Sequence, residues 1–322
     1  MKITYISWAA HCSRSDHTAR ELGGTSHLVY WGALGSHPLT IWLKYLGQAV
    51  RTWRLLAADR PTAVFVMTPP VFAPLVAWAY CTLRGCRLVL DAHTAAFLHP
   101  RWQYFQRLQF WLARRAAATI VHNDHLKAVI ERGGGYAITV GDIPVRFDSI
   151  EPYELPAGFN IAVVCSFNPD EPVVEILEAA RRLPDVHFHI TGKPGRRDPR
   201  LATIVPPNVR LTGFLSDGAY GSLIGNADGV LTLTTRDHTM LRGAWEAVYQ
   251  GTPVIVSNWP VLREAFDEGA IHVDNTAGDI VRSVRQLRQD HGRYRTGVRA
   301  LRTRKQHRWD ATRQALLARI GE

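Results

Sequence analysis

The sequence predicts two parallel α/β domains in tandem, and three observations carry this. Short runs that are apolar at every position alternate with longer runs of helical spacing. The alternation breaks once, at the proline-bearing stretch 141–158 (GDIPVRFDSIEPYELPAG), and then restarts. The 322 residues suffice for two ordinary domains, and a hydrophobic share of 46% gives each a core. Strands that do not alternate apolar with polar need cover on both faces, which helices on either side of a parallel sheet supply.

The elements follow in order. KITYIS reads as a strand, with another at His27–Trp31. Ile41, Trp42, Tyr45, Leu46, Ala49, Val50 and Trp53 recur at helical spacing, and Pro61 ends that run. AVFVM (63–67) and CRLVLDAH (86–93) are strands, 102–115 a helix, and ATIVHN (118–123) a strand. After the linker, FNIAVVCSF, VHFHITGK, NVRLTGFL and GVLTLTT read as strands, with helices at PVVEILEAARRLP and DGAYGSLIGNA. A short helix from near Leu241, a Gly-Thr-Pro stop, a strand at Val254–Ser257 and arginine-rich helices complete the chain. The boundaries expected are 1–150, 151–305 and a closing helix at 306–322.

One stretch, 63–83, is apolar enough to suggest a membrane span, but Pro69, Pro70 and Pro74 interrupt it. A strand, a turn and a buried helix account for it better. MKITYISWAA lacks the longer apolar core of a signal peptide. Cys12, Cys81, Cys86 and Cys165 have no metal-ligand spacing and read as reduced thiols of a cytoplasmic protein.

The net charge of +10 is unevenly spread. Residues 1–150 hold 16 Lys/Arg against 8 Asp/Glu, 151–281 hold 10 against 17, and 282–322 hold 12 against 3. A basic first half attracts phosphates or anionic lipid, although a solvated basic surface has the same composition. No zinc-finger, helix-turn-helix or RNA-recognition signature is present, so nucleic acid is not the expected partner. The first half also carries two aromatic–basic helices, WLKYLGQAVRTWR and RWQYFQRLQFWLARR, suited to peripheral docking on an anionic membrane face or to ordinary packing.

The glycine fingerprint of dinucleotide sites is absent after both first strands, as is a phosphate loop with its lysine. No Asp-x-Asp pair suggests a carboxylate-held metal, and no cofactor is expected. The informative stretch is TTRDHTMLRGAWEAVYQGTPVIVSNWP, 234–260. A helix beginning after a parallel strand offers free N–H groups to a diphosphate. Gly243 permits close approach there, and Arg242 adds charge. Glu246, one turn further on, is a carboxylate in an apolar helix. It is placed either to accept from two adjacent hydroxyls, as on a ribose, or to pair with a nearby arginine. Pairing with a guanidinium would count against the ribose reading.

These residues, with Gly-Thr-Pro-Val and the loop to Glu264, resemble the donor-site segment of GT-B glycosyltransferases, the family 4 group above all. The resemblance implies two Rossmann-like domains facing a cleft, with a C-terminal helix crossing back. It implies a nucleotide-sugar donor and a glycan or lipid-linked glycan acceptor, as in bacterial surface polysaccharide synthesis. By that resemblance Glu246 binds the ribose, Glu264 is the later loop glutamate, and Leu215 lies where backbone atoms hold the nucleobase. The family's first glutamate of the pair is His238 here. The Arg/Lys pair that grips the diphosphate is missing from SFNPDEP, the loop holding Ser166, and Arg242, Arg236 or Lys193 are the substitutes. His93, ending LVLDAH, falls where the family sets a histidine against the donor sugar. Asp16 or His17, after the first strand, are candidate general bases for an inverting reaction, while Ser15 or Asp16 also suit a helix N-cap. Two other readings stand beside a transferase: a nucleotide-sugar epimerase on the same fold, and a non-catalytic, degenerate subunit.

Overall fold

The computed structural model describes residues 1–32, 38–93, 96–97, 100–141, 143–147, 151–193, 205–237 and 239–321. The chain divides into two compact units, Met1–Pro144 with Gln306–Glu322, and Val145–Lys305.

The first unit is built on a six-stranded parallel sheet. Its strands are β1 (Ile3–Ser7), β2 (Thr25–Leu28), β3 (Ala63–Thr68), β4 (Arg87–Ala92), β5 (Ala118–Val121) and β6 (Ala137–Thr139), ordered β2-β1-β3-β4-β5-β6. Every residue of β1, β3 and β5 is buried, as uninterrupted apolar runs require when helices cover both faces. Those helices are α1 (Ser13–Glu21), α2 (Pro38–Asp59), α3 (Phe72–Arg84), α4 (Pro100–Gln103), α5 (Gln106–Ala113) and α6 (Asp124–Arg132). Gly85, at φ 70°, ends α3 in the left-handed conformation that glycine adopts without steric cost. Trp309, Leu316 and Ile320 of the last helix are buried with Ile3, Tyr5 and Phe65.

The second unit repeats the plan. Its strands are β7 (Phe159–Val163), β8 (Val186–Thr191), β9 (Val209–Gly213), β10 (Gly229–Thr232), β11 (Val254–Ser257) and β12 (Ala270–Val273), all parallel in the order β12-β11-β10-β7-β8-β9. Its helices are α7 (Val173–Arg181), α8 (Asp217–Asn226), α9 (Arg242–Gln250), α10 (Pro260–Ala265) and α11 (Ala277–Gln289). The last helix, α12 (His291–Gly321), begins in this unit and runs past residue 305 into the first.

In both sheets the chain starts in the middle and builds outward in two directions. The order reverses between β1 and β3 in the first unit and between β7 and β10 in the second. Ligands of open α/β sheets bind beyond the carboxyl ends of strands at such switch points. The loops after β1, β7 and β10 therefore mark where chemistry belongs.

The structure corrects several elements. The second strand is Thr25–Leu28, not 27–31. The helix expected over 102–115 is two pieces, α4 and α5, separated by a turn at Tyr104 and Phe105. The Ser15 or Asp16 N-cap is also overturned: α1 starts earlier, with Cys12 at the cap and no side chain capping.

Candidate active site

The second unit's site is assembled from three loops. Asp170, in the loop after β7, binds three residues of the loop after β10. Thr234 Oγ1 donates to its carboxylate at 3.0 Å, Thr235 N to its carbonyl at 2.7 Å, and Arg236 lies 3.6 Å from it. Thr234 is clamped again from β11 and beyond. Ser257 Oγ accepts from Thr234 N at 2.8 Å, and Trp259 Nε1 and Asn275 Nδ2 both donate to its carbonyl at 2.9 Å. The platform before α9 is thus fixed by hydrogen bonds in every direction.

On α9, Glu246 is buried, with only 6% of its surface exposed. Arg242 Nε donates to its Oε1 at 2.5 Å, and Tyr220 Oη on α8 donates to its Oε2 at 2.6 Å. Burial, then the charge of Glu246, raises the Tyr220 hydroxyl well above its ordinary range, so it remains a donor. Of the two readings of Glu246, the structure shows the pairing with an arginine, which counts against the ribose reading, and Arg242, expected as a diphosphate grip, is engaged by that carboxylate. A charge this deep is too costly to leave unpaired, and the chain supplies both partners itself. Each carboxylate oxygen still offers a second acceptor position.

Gly243 serves packing first. A Cβ there would sit 2.7 Å from Val164 Cγ1, so its absence lets the start of α9 close on the end of β7. The first turn of α9 has no side-chain cap, which leaves its amides to other partners. At the far end, Gly251 (φ 78°) ends the helix where the Gly-Thr-Pro stop was read.

Ser166 lies in a loop folded around an anion of the chain's own. Its N–H and that of Asn168 point at the Glu171 carboxylate, at 3.0 and 2.6 Å, around Phe167 in the left-handed region at φ 56°. Nests of this kind bind anions. Glu171 therefore stands in the loop where the resemblance led us to seek a basic pair.

The other candidates are dispersed. Leu215 is half-buried beside the cluster around α8 and α9, Lys193 is exposed after β8, and Glu264 is exposed on α10. His238 lies outside the described residues. A cavity of about 380 Å³, lined by His187, His189 and Arg210, opens at the amino ends of β8 and β9, the opposite end of the sheet from these loops.

The first unit holds a buried polar cluster at its own switch point. Asp91, fully buried near the end of β4, accepts from Tyr5 Oη, lies 3.2 Å from Arg14 on α1, and lies 3.5 Å from His93 Nε2. Burial works against its charge, but Arg14, His93 and Tyr5 together hold it well below the usual carboxylate range. Burial likewise opposes the charge on His93, yet Asp91 and the Cys12 sulfur outweigh it and raise the imidazole to about 9. His93 is therefore a proton donor at neutral pH. Asp16 is half-buried in the first turn of α1, and its neighbour His17 has a partner of its own.

Sequence reasoning missed Tyr220, Glu171, Asp91, Arg14 and Cys12. Asp91 was detectable by the logic applied to Glu246, since it is one carboxylate inside an apolar run.

Comparison with known proteins fits this architecture. Residues 173–318 match the sequence profile of the family described as Glycosyl transferase-like. Anabaena HepE, solved in complex with UDP and glucose, superposes with a TM-score of 0.68 at 14% identity over 100% of this chain and 99% of its own. The whole chain has the GT-B fold. Sucrose-phosphate synthase from Thermosynechococcus elongatus shares the GT-B fold at TM-score 0.63 and 14% identity, over 98% of this chain and 97% of its own. The kitacinnamycin glycosyltransferase does so at TM-score 0.61 and 17% identity, over 99% of each chain. No curated protein sequence matches this GT-B chain.

Proposed function

We propose that this protein transfers a sugar from a UDP-sugar to a hydroxyl of a glycan or lipid-linked glycan, as in surface polysaccharide synthesis. The observation that carries the reading is Glu246. It is a buried carboxylate on α9, inside the family-matched segment and directly after the loop that follows β10. HepE, the fold relative solved with UDP and with UDP-glucose, supports the choice of donor.

In this reading the second unit holds the donor. Tyr220 and Arg242 orient Glu246 so that its remaining lone pairs accept from the ribose hydroxyls. The uncapped amides of α9 take the diphosphate, with the helix dipole stabilising charge as the leaving group departs. Lys193 and Arg236 are further cationic candidates, and by the resemblance Ser166 and Leu215 are candidates for the nucleotide and Glu264 and His238 for the sugar. Metal independence is part of the proposal. The first unit supplies acceptor chemistry: Asp16 is the candidate base, and His93 acts as a proton donor rather than a base. Release of UDP from UDP-sugars, measured with and without glycan acceptors, tests the reading. Acceptor-dependent release supports a transferase, whereas release without any acceptor requirement, or none with any donor, removes it.

Docking on the inner membrane face is the second element of the proposal. α2 exposes Trp42, Leu43, Leu46, Val50 and Trp53, at 64, 59, 63, 44 and 37%, along one side of the helix, with Arg51 and Arg54 among them. An apolar strip edged by arginines suits an anionic bilayer surface. No helix among the described residues is long and apolar enough to cross a membrane. Co-sedimentation with anionic vesicles at low salt, lost in Trp42→Ala/Leu46→Ala, is expected. Equal binding by that variant removes the strip from the account.

A further inference from the structure

We propose that Cys81 and Cys86 are a modification site, a paired dithiol that closes to an intramolecular disulfide by exchange with small-molecule disulfides such as oxidised glutathione. The pair lies wholly within the first unit and is independent of where the donor binds.

The backbone brings the two residues together. Cys81 is in the last turn of α3, and Cys86 immediately precedes β4. Between them Gly85, in the left-handed region at φ 70°, turns the chain back on itself. The Cys81 carbonyl accepts from Gly85 N at 2.8 Å and from Cys86 N at 3.2 Å, so the residue after the glycine is folded against the last turn of the helix. Helix ends of this kind commonly seat two apolar side chains against each other at those positions. Here both are thiols, and their Sγ atoms lie 2.7 Å apart. Cys81 Sγ also lies 3.8 Å from the Arg87 carbonyl, which fixes its direction toward the start of β4. Sulfurs already in contact need no backbone movement to be bridged, and such movement is the usual obstacle to a disulfide.

The two thiols are unequal, which gives them separate roles. Cys81 is buried in the apolar core of the first unit, whereas Cys86 is half-buried at its edge. An incoming disulfide therefore meets Cys86 first. Hydrogen bonding with Cys81 brings the Cys86 thiol below its ordinary value, and the same contact, with burial, raises Cys81. Cys86 is thus the attacking sulfur and Cys81 the resolving one. The sulfurs of Cys12 and Cys165 meet Ser15 and Glu171 instead.

In the first step the Cys86 thiolate attacks one sulfur of oxidised glutathione. A Cys86–glutathione S–S bond forms, the original S–S bond breaks, and one glutathione thiolate leaves and takes up a proton. Cys81 then gives its proton to solvent and attacks the Cys86 sulfur. The Cys81–Cys86 bond forms and the second glutathione thiolate leaves and is protonated. The protein loses two electrons and two protons, and the small disulfide is reduced to two thiols. With Cys81 already in place, the second step is intramolecular and outruns attack by free thiols.

The test incubates the native full chain with oxidised glutathione, traps the remaining thiols with iodoacetamide in urea, and maps tryptic peptides by mass spectrometry without reduction. Cleavage after Arg84 separates the two cysteines, so the bridge appears as a joined pair of peptides that dithiothreitol releases. In the wild type, Cys81 and Cys86 are expected to pass together into that species while Cys12 and Cys165 stay alkylated. In Cys81→Ser the resolving sulfur is gone, and the Cys86–glutathione adduct is expected to accumulate at least about tenfold above its wild-type level. A wild-type chain that keeps all four thiols, or holds a lasting glutathione adduct on Cys86, overturns the proposal. So does a bridge between chains, seen as a dimer on non-reducing electrophoresis, or an adduct no more abundant in folded Cys81→Ser than in the wild type. Should that variant not fold, the wild-type peptide map alone decides.

Discussion

Arg242 Nε lies 2.5 Å from Glu246 Oε1 across one turn of α9, while Tyr220, on the preceding helix, holds the other carboxylate oxygen. The two partners are unequal. The Arg242 side chain is 49% exposed, so solvent screens its attraction, whereas the Tyr220 hydroxyl meets the carboxylate out of water. Tyr220→Phe is expected to destabilise the fold by about 1–3 kcal/mol, the range for leaving a buried charged acceptor short of a donor. Arg242→Ala is expected to cost under about 1 kcal/mol. Urea unfolding of the two variants checks the ordering, and equal losses would show that the arginine carries more than its exposure allows.

Gly243 tests the seam between α9 and β7. Gly243→Ala places a methyl 2.7 Å from Val164 Cγ1, a distance that real contacts do not show. The helix start has to shift, and overpacking of this kind costs about 1–3 kcal/mol. Because the same turn is proposed to take the diphosphate, UDP affinity is expected to fall as well. Val164 Cβ is itself 2.8 Å from that methyl, so adding Val164→Gly, and not Val164→Ala, is expected to recover part of the UDP affinity, as read by calorimetry.

His93 gives the stability a pH dependence. Its imidazole titrates at about 9 in the fold against 6.5 unfolded, so the folded chain holds an extra proton between those values. The stabilisation is complete below about pH 6.5 and drains away as the pH rises through about 9. Cys12 is shifted the opposite way and offsets part of this, and because its sulfur is one of the causes that raise His93 it is kept in place. His93 is 36% exposed, which reduces the effect to about 2–4 °C of Tm between pH 6.5 and 9.5. Scanning calorimetry of the wild type and of His93→Gln measures it. A slope that survives the histidine change would assign it elsewhere.

The fold was legible because both sheets are parallel and doubly covered, so that β1, β3, β7, β10 and β11 appear as mainly apolar runs, with Thr4 and Asn160 the polar residues inside them, ended by glycine, proline or polar loops. The strands that went unread are β6, which has only three residues, and β12, whose apolar run His272 interrupts. The site was legible only where one chain segment carries it. Glu246, Arg242 and Gly243 share nine residues of α9, but Tyr220 comes from 26 residues upstream, brought in by the packing of α8 on α9. Spacing along the chain cannot show that a tyrosine satisfies a glutamate. It also cannot show that Glu171 closes a nest with its own backbone, or that Arg14 and Asp91 converge from α1 and β4.

The most direct measurement is calorimetric titration of UDP-glucose and UDP into the wild-type chain and into Glu246→Ala. Binding by the wild type, with affinity at least about tenfold weaker in a variant that stays folded, is the expected result, matching loss of hydrogen bonds to a charged acceptor. Equal affinity in the two proteins, or no binding of any nucleotide sugar by the wild type, would contradict the assignment of the second unit as the donor site.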